Sequence, residues 1–298
     1  MTIMDGKLVA QATKDELKTK VGELVREGKK RPHLAAVLVG TNGASETYVR
    51  SKVRTCEEIG FTSSLIRFNN DVSEDTLLTS IRNLNENDDI DGILVQLPLP
   101  EQISEPKVIE TISALKDVDG FHPVSVGRLV QGLPTYIPAT PYGIMLLLEY
   151  YKIDTSGLHA VVIGRSNIVG RPISILLSNN TNPGNCTVTL CHSHTKNIKE
   201  LCLTADIIVA ALGRPGFLKG DMVKEGAIVI DVGITRVEDA TKKSGFVLKG
   251  DVDFEKVAPK CRYITPVPGG VGLMTIAALM KNTFRSCTAK QQINKIIL

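Results

Sequence analysis

The stretch HAVVIGRSNIVGRPISILLSNN, His159 to Asn180, decides the fold of the second half of the chain. An apolar strand pattern runs into a turn that carries Gly164 and Gly170, and a helix pattern follows. Strand, glycine-bearing turn and helix in this order are typical of the opening of a dinucleotide-binding domain. The glycines allow the backbone to approach a phosphate, which the free N–H groups of a helix N-terminus attract. Because the spacing departs from G-x-G-x-x-G, a simple tight connection remains the alternative.

Short β-branched runs extend this pattern in both directions along the chain. The runs before the glycine turn are HLAAVLV, SSLIRF and DGILVQL, and those after it are CTVTL, DIIVAAL and AIVIDVG. They alternate with helical patterns, which indicates βαβ units and parallel sheets. We therefore predict an α/β protein with two α/β domains, the second a Rossmann-type doubly wound parallel sheet. The predicted domains are residues 1–144 with 273–298, and residues 145–272.

Two polar residues stand at positions where chemistry is plausible in the first domain. Lys52 lies on a helix predicted from Ser45 to Ile59, four residues after Tyr48 and therefore on the same helix face. A lysine there is either a surface residue with a buried stem or a desolvated acid/base with a lowered pKa. Gln96 follows a buried strand at its carboxyl end, where ligands bind in open α/β sheets, although a strand-end polar residue is the simpler interpretation.

The segment KDVDGFHP, residues 116–123, is rich in turn formers and is predicted to be a functional loop too polar for the core. Asp117 and Asp119 are either turn formers or carboxylates that accept paired N–H donors from a ligand. Further along, Thr140 and Pro141 are predicted as the N-cap and first residue of a helix.

Composition excludes several classes of function. The 298 residues are 43% hydrophobic and 22% charged, with a net charge of +3 and no Trp. No basic block or aromatic-basic surface favours nucleic acid, and no apolar run is long enough for a membrane span. The six cysteines do not have the spacing of zinc ligands, so we expect no metal site. We expect the six thiols to be reduced. With no leader pattern at the N-terminus, we expect a cytoplasmic protein.

The stretch after the CTVTL strand favours one nucleotide over another. It reads CHSHTK, residues 191–196, without the acidic residue that binds the ribose hydroxyls of NAD. Its absence favours a 2′-phosphate and hence NADP. Arg165, Ser193 and His194 are the candidate phosphate partners, and a solvated polar loop is the alternative.

Five separated segments together match one family. They are YVRSK (48–52), GILVQLPLP (92–100), KDVDGFHP (116–123), GRSNIVGRP (164–172) and TPVPGGVG (265–272). In this order they resemble the bifunctional methylenetetrahydrofolate dehydrogenase/methenyltetrahydrofolate cyclohydrolase family over nearly the whole chain. Two positions depart from the family pattern: Ala139 stands where Cys is frequent, and Leu273 stands where Pro is expected.

The resemblance implies an active site in the cleft between the domains. It assigns acid/base catalysis to Lys52, orientation of that lysine to Gln96, and stacking on the folate to Tyr48. It implies that Asp119 pairs with the pterin edge and that Asp117 supports it. The folate-closing loop is Pro268, Gly269 and Gly270, and the implied cofactor-binding residues are Gly164, Arg165, Ser166, Gly170, Ser193, His194, Thr140 and Ile234.

The activity implied by the resemblance is NADP-dependent oxidation of 5,10-methylenetetrahydrofolate, followed by hydrolysis of the methenyl product to 10-formyltetrahydrofolate. Such an enzyme serves one-carbon metabolism and purine biosynthesis, uses tetrahydrofolate derivatives and NADP, and forms a homodimer. The alternatives are a dehydrogenase or cyclohydrolase with one activity alone, or a non-catalytic module that binds nucleotide or folate.

Overall fold

The computed structural model describes residues 1–41, 43–239, 241 and 245–296, with the side chains of 44 and 290–296 outside the description. Contacts divide the chain into two compact units. The six-stranded unit comprises Met1–Gln11 and Pro138–Thr275, and the three-stranded unit comprises Ala12–Ile137 and Ile276–Leu298. The functional domain boundaries expected from sequence remain a prediction.

The bounds of the elements follow in chain order. The strands are β1 (Thr2–Ile3), β2 (His33–Val39), β3 (Thr62–Phe68), β4 (Gly92–Val95), β5 (His159–Ile163), β6 (Thr187–Cys191), β7 (Ile207–Ala210), β8 (Ala227–Asp231), β9 (Thr235–Glu238), β10 (Phe246–Lys249) and β11 (Cys261–Ile264). The helices are α1 (Gly6–Arg26), α2 (Gly43–Ile59), α3 (Glu74–Glu86), α4 (Glu105–Thr111), α5 (Pro123–Val130), α6 (Ala139–Tyr150), α7 (Gly170–Ser178), α8 (Ile198–Thr204), α9 (Phe254–Val257) and α10 (Val271–Ile296).

The three-stranded unit is built on a parallel sheet in the order β3-β2-β4. Its strands lie where the runs HLAAVLV, SSLIRF and DGILVQL predicted them. Helix α3 packs Leu77 and Ile81 into the same core as Val37 and Ile93 of the sheet. Ser73 caps the N-terminus of α3, because its hydroxyl accepts a hydrogen bond from the Thr76 N–H at 3.2 Å.

The six-stranded unit holds a sheet in the order β1-β11-β8-β7-β5-β6, in which every pair is parallel. From β5 the chain crosses through α7 to β6 on one side, and then returns to β7 on the other side of β5. This reversal is a topological switch point, and it confirms the predicted doubly wound α/β fold. The carboxyl ends of β5 and β7 therefore form the edge at which a ligand is expected.

Helix α6 begins earlier than the sequence predicted. Its N-cap is Pro138, so Thr140 lies inside the first turn and makes no side-chain capping bond there. The first regular backbone bond runs from Tyr142 N to Pro138 O at 2.9 Å. The prediction of Thr140 as N-cap was wrong because the N–H groups of a first helical turn have no intrahelical acceptor. A proline such as Pro141 therefore fits at several positions of that turn.

Helix α10 belongs from Ile276 onward to the three-stranded unit. Its Ser286 hydroxyl is buried and donates to the Asp91 carbonyl oxygen at 2.6 Å, next to the start of β4. The glycine- and proline-rich segment before this helix thus leads into a packed helix. Among the helices of the described ranges, none combines the length and apolar character that a bilayer crossing requires.

Candidate active site

Lys52 and Gln96 form the central polar contact of the three-stranded unit. Lys52 Nζ, on α2, donates to Gln96 Oε1 at 3.0 Å, just past the end of β4. Gln96 Nε2 donates in turn to the Leu97 carbonyl oxygen at 2.8 Å. The opposite amide orientation would set an NH₂ group against the ammonium and an oxygen against a carbonyl. These two bonds therefore fix Gln96 with its oxygen toward the lysine.

Lys52 is half-buried, and its Nζ bonds to Gln96 Oε1, which favours the desolvated acid/base over a surface lysine with a buried stem. It shares its stretch of α2 with Val49 and Cys56, which are fully buried. Burial lowers the pKa of Lys52, and the negative charge of Asp119 opposes that shift. A lysine with a lowered pKa can give and take a proton closer to neutral pH than an ordinary lysine can.

Asp119 is the charged partner of Lys52. Burial raises the pKa of Asp119 to about 6, against the opposing influence of the Lys52 charge. Tyr48 lies one turn before Lys52 on α2, and 44% of its surface is exposed. The structure thus brings Lys52 together with Gln96 by a hydrogen bond and with Asp119 by charge, and it places Tyr48 on the neighbouring turn.

The segment KDVDGFHP was predicted to be too polar for the core, and this was wrong for its first half. Lys116, Asp117 and Val118 are all buried. Lys116 Nζ donates to the carbonyl oxygens of Leu84 and Asn87 at 2.9 and 2.7 Å. The ammonium is stabilised by backbone carbonyls, so its burial does not leave it without partners. A sequence pattern gives no indication of such long-range acceptors.

Asp117 shapes the turn that carries Asp119. Its carboxylate accepts bonds from Phe121 N at 3.2 Å, His122 N at 2.9 Å and the Ser125 hydroxyl at 2.7 Å. Burial raises the pKa of Asp117, and these hydrogen bonds oppose the shift. Because its oxygens are engaged within the chain, Asp117 is placed to hold the loop in shape, in keeping with a supporting role.

Asn282 supports the same loop, although the sequence did not indicate this role. This residue of α10 is 1% exposed, and its Nδ2 donates to the carbonyl oxygens of Val118 and Ile137, both at 2.8 Å. These bonds hold the backbone of Val118, next to Asp119, in position. In the sequence, Asn282 is a single amide residue within the largely apolar stretch IAALMKNTF. That pattern indicates a buried polar residue but does not identify the carbonyl groups to which it donates.

The glycine turn after β5 is closely packed. Gly164 has φ +124°, and a Cβ there would overlap the Ala211 carbonyl oxygen after β7. A Cβ at Gly170 would overlap the Gly164 carbonyl oxygen. The Ser166 hydroxyl accepts from Val169 N and Gly170 N at 3.2 and 3.3 Å, at the start of α7. The turn therefore requires glycine at both positions, because the backbone of the chain itself packs where a Cβ would stand.

The predicted phosphate partners lie at neighbouring strand ends. Arg165 follows β5 and is exposed, and Ser193 and His194 follow β6, where they are exposed too. Desolvation lowers the pKa of His192, and the charges of Arg165 and His194 lower it further. The structure thus groups positive charge at this edge, which suits an anionic ligand.

The remaining predicted residues also lie in the six-stranded unit. Gly269 has φ +109°, and its carbonyl oxygen accepts from Gly6 N at 2.9 Å. Gly270 packs on the Pro266 carbonyl, where a Cβ would lie 2.5 Å from that oxygen. Ile234 follows β8 with 44% exposure. The other two members are Pro268, beside these glycines, and Thr140, half-buried in α6.

A doubly wound sheet with a glycine turn at its switch point defines an α/β protein with a dinucleotide-binding unit. The chain belongs to the tetrahydrofolate dehydrogenase/cyclohydrolase family. Residues 4–119 match the model of the family's catalytic domain, and residues 138–291 match its NAD(P)-binding domain. No three or more His, Cys, Asp or Glu side chains in the described ranges are grouped as a metal site would require.

Individual relatives agree with this assignment. The bifunctional protein FolD of Bacteroides fragilis is 61% identical over 283 residues, 95% of this chain and 97% of that protein. The crystal structure of the bifunctional enzyme FolD, methylenetetrahydrofolate dehydrogenase/cyclohydrolase, from Campylobacter jejuni is 48% identical, with a TM-score of 0.91 and coverage of 97% and 99% of the two chains. The Trypanosoma brucei FolD structure, complexed with NADP cofactor and inhibitor, is 37% identical, with a TM-score of 0.91 and coverage of 97% and 98%. The family resemblance stated from sequence is confirmed.

Proposed function

We propose that this chain oxidises 5,10-methylenetetrahydrofolate with NADP and hydrolyses the methenyl product to 10-formyltetrahydrofolate. The observation that carries the proposal is the Lys52–Gln96 contact, in a chain whose other unit keeps an intact glycine turn. Family membership and 61% identity to a bifunctional relative support it. A protein that only binds nucleotide or folate would not need a desolvated lysine oriented by an amide.

The residues of the six-stranded unit fit NADP. The N-terminus of α7, at Gly170, is proposed to face the pyrophosphate, because the N–H groups of a first helical turn attract anions. Arg165, Ser193 and His194 are proposed to hold the 2′-phosphate, since the stretch 191–196 contains no carboxylate to repel it. Ser166, Thr140 and Ile234 complete the proposed set. Bound NADP supplies a hydride acceptor, and the protein's contribution to that step is to hold the folate carbon in position.

Hydrolysis of the methenyl bridge requires proton transfer from the protein. Water forms a C–O bond to the bridge carbon of the cationic methenyl compound and loses one proton, which gives a neutral carbinol. One C–N bond then breaks as the carbinol becomes the formyl C=O, the released folate nitrogen gains a proton, and the hydroxyl proton goes to solvent. Lys52 is proposed to accept the first proton and to return it to the nitrogen. Gln96 holds Nζ at 3.0 Å, and the lowered pKa of Lys52 makes the neutral amine accessible.

The folate itself is proposed to bind through Asp119 and Tyr48. An ionised Asp119 has two oxygens that suit the two parallel N–H donors of a pterin edge. The exposed ring of Tyr48 offers a face for stacking. Asp117 supports the loop from within, and Pro268, Gly269 and Gly270 are proposed as the loop that approaches folate and cofactor.

A time course tests the two activities together. The protein is incubated with 5,10-methylenetetrahydrofolate and NADP, and the NADPH, methenyl and 10-formyl species are followed. NADPH with formyl product above the spontaneous rate is the expected result. NADPH with accumulating methenyl product would leave a dehydrogenase alone. Methenyl hydrolysis without NADPH would leave a cyclohydrolase, and neither reaction would leave a binding module.

We also propose a cytoplasmic homodimer. All six cysteines lie among the described residues, and each is a buried thiol outside any disulfide, which suits a reducing compartment. The dimer rests on the family resemblance. Light scattering at several protein concentrations tests it, with a mass of twice the 32.3 kDa chain expected.

A further inference from the structure

Asp251 is a fully buried carboxylate that the mechanism above does not use. It lies between β10 and α9 in the six-stranded unit, and 0% of its surface is exposed. Its Oδ2 accepts from Leu212 N at 2.6 Å and Gly213 N at 2.9 Å, and its Oδ1 accepts from Arg214 N at 2.7 Å. Three successive backbone N–H groups of one loop are thus held by one side chain.

Asp251 is itself held in place by a second buried carboxylate. Asp231, at the end of β8, accepts from Asp251 N at 2.9 Å and Val252 N at 3.0 Å. The packing leaves no room for side chains on the adjacent glycines. A Cβ at Gly233 would overlap the Asp251 carboxylate, and one at Gly250 would overlap that of Asp231. Such dense packing fixes the position of Asp251 within the unit.

The loop that Asp251 holds lies at the switch point of the sheet. Residues 212–214 follow β7, whose carboxyl end neighbours that of β5. The preceding Ala211 carbonyl packs directly on Gly164, the first residue of the glycine turn. The N–H groups of the loop are committed to Asp251, so phosphate donors must come from the turn after β5. The loop after β7 is therefore placed as the opposite wall of the nucleotide crevice.

We propose that Asp251 is a positioning residue for the nucleotide, which acts by fixing the 212–214 loop against the glycine turn. The proposal rests on the proposed NADP-dependent function. Asp251 does not touch the reacting atoms. It sets nucleotide affinity through the loop, and it has no part in hydrolysis of the methenyl compound, which needs no nucleotide.

The test is Asp251→Asn, which keeps the size of the side chain but replaces one acceptor oxygen with an NH₂ donor. The Kd of NADP, measured by titration calorimetry, should rise about 10- to 100-fold, with a parallel rise in the KM for NADP. Hydrolysis of added methenyltetrahydrofolate should stay within about twofold of wild type. An unchanged Kd would overturn the proposal, and so would an equal fall of both activities.

Asp206→Asn is the matched control. Asp206 precedes β7, at the opposite end of that strand, and its Oδ2 accepts from His159 N at 2.8 Å. Asp206 is thus a carboxylate that accepts a hydrogen bond from a backbone N–H in the same unit, but at the end of the strand away from the switch point. Its replacement should leave the Kd of NADP unchanged. A rise equal to that of the Asp251 variant would show a general effect of destabilising the sheet and would overturn the proposal.

Wild-type protein provides a test that does not depend on a variant folding. NADP should slow amide hydrogen exchange in a peptide covering residues 211–218 as well as in one covering 164–170, and should leave residues 203–206 unchanged. Unchanged exchange at 211–218 in NADP-saturated protein would overturn the proposal. Failure of the wild type to bind NADP at all would instead refute the proposed function on which it rests.

Discussion

Lys52 and Gln96 are 44 residues apart in the chain, and their side chains meet at 3.0 Å. One comes from the face of a helix and the other from the end of a parallel strand. The amide oxygen of Gln96 contacts the ammonium without adding a negative charge, so burial can still lower the pKa of Lys52. A carboxylate in the place of Gln96 would have the opposite effect. This neutral partner distinguishes the lysine from a structural ion pair.

Replacement of Lys52 by Met removes the amine and keeps most of the apolar stem. We expect hydrolysis of methenyltetrahydrofolate to fall by about 10²- to 10⁴-fold, the usual contribution of a positioned acid/base. Hydride transfer moves no proton through the lysine, so NADPH formation should be retained. The two rates are measured separately on the purified variant. Lys107→Met, which removes an exposed lysine paired with Glu74, is the control and should leave both rates unchanged. Full methenyl hydrolysis by Lys52→Met would refute the assignment.

Replacement of Gln96 by Glu should shift the pH dependence of hydrolysis. A carboxylate beside Lys52 stabilises the ammonium, so the pKa of Lys52 rises and the neutral amine forms only at higher pH. The rising limb of the methenyl hydrolysis profile should move up by about 1 to 3 pH units. Gln102→Glu is a suitable control because Gln102 is exposed and bonds to the Asn70 carbonyl oxygen. A profile that stays in place for Gln96→Glu would contradict the proposed tuning.

The raised pKa of Asp119 leads us to expect that kcat/KM for the folate substrate falls at acid pH, as the acid limb of its pH profile. Its pKa is raised to about 6, so the carboxylate that would accept pterin N–H donors is lost as pH falls through that value. We expect kcat/KM for 5,10-methylenetetrahydrofolate to fall below about pH 6 in the wild type, because this parameter reports on the free enzyme. Asp119→Asn should raise the KM for folate at every pH and remove that limb. Persistence of the same limb in the variant would assign it to another group.

Asn282 takes no part in the proposed chemistry, but we expect its replacement to lower the free energy of unfolding. Asn282→Leu leaves the carbonyl oxygens of the buried Val118 and the half-buried Ile137 without their donor. Unfolding free energy from urea titration should fall by about 1 to 3 kcal/mol for each group left unpaired. The KM for folate should rise too, because Val118 adjoins Asp119. Lys281→Ala, which breaks the ion pair with Glu16 at 3.3 Å, should cost less than about 1 kcal/mol. Equal losses for the two variants would contradict the role of the amide.

The sequence predicted the sheets better than the ends and loops. Buried parallel strands such as HLAAVLV and HAVVI are marked by continuous apolar runs, which is why their positions were predicted closely. The start of α6 was misplaced because Thr140 and Pro141 satisfy the rules for several positions of a first turn. Lys116 and Asp117 were predicted to be too polar for the core. Lys116 is nevertheless buried against carbonyls of the distant residues Leu84 and Asn87, and Asp117 against N–H groups that its own folded loop directs at it.

The sequence by itself determined the two α/β units, the glycine turn after β5 and the family, because these depend on residue types at short and regular spacing. Only the tertiary structure decided which polar groups meet. The Lys52–Gln96 bond, the carbonyl that Lys116 meets and those held by Asn282 depend on contacts between segments far apart in the chain. The same is true of Asp251, whose carboxylate is indistinguishable in sequence from a loop aspartate. Such contacts follow from packing, since a buried charge persists only where the folded chain supplies its partners.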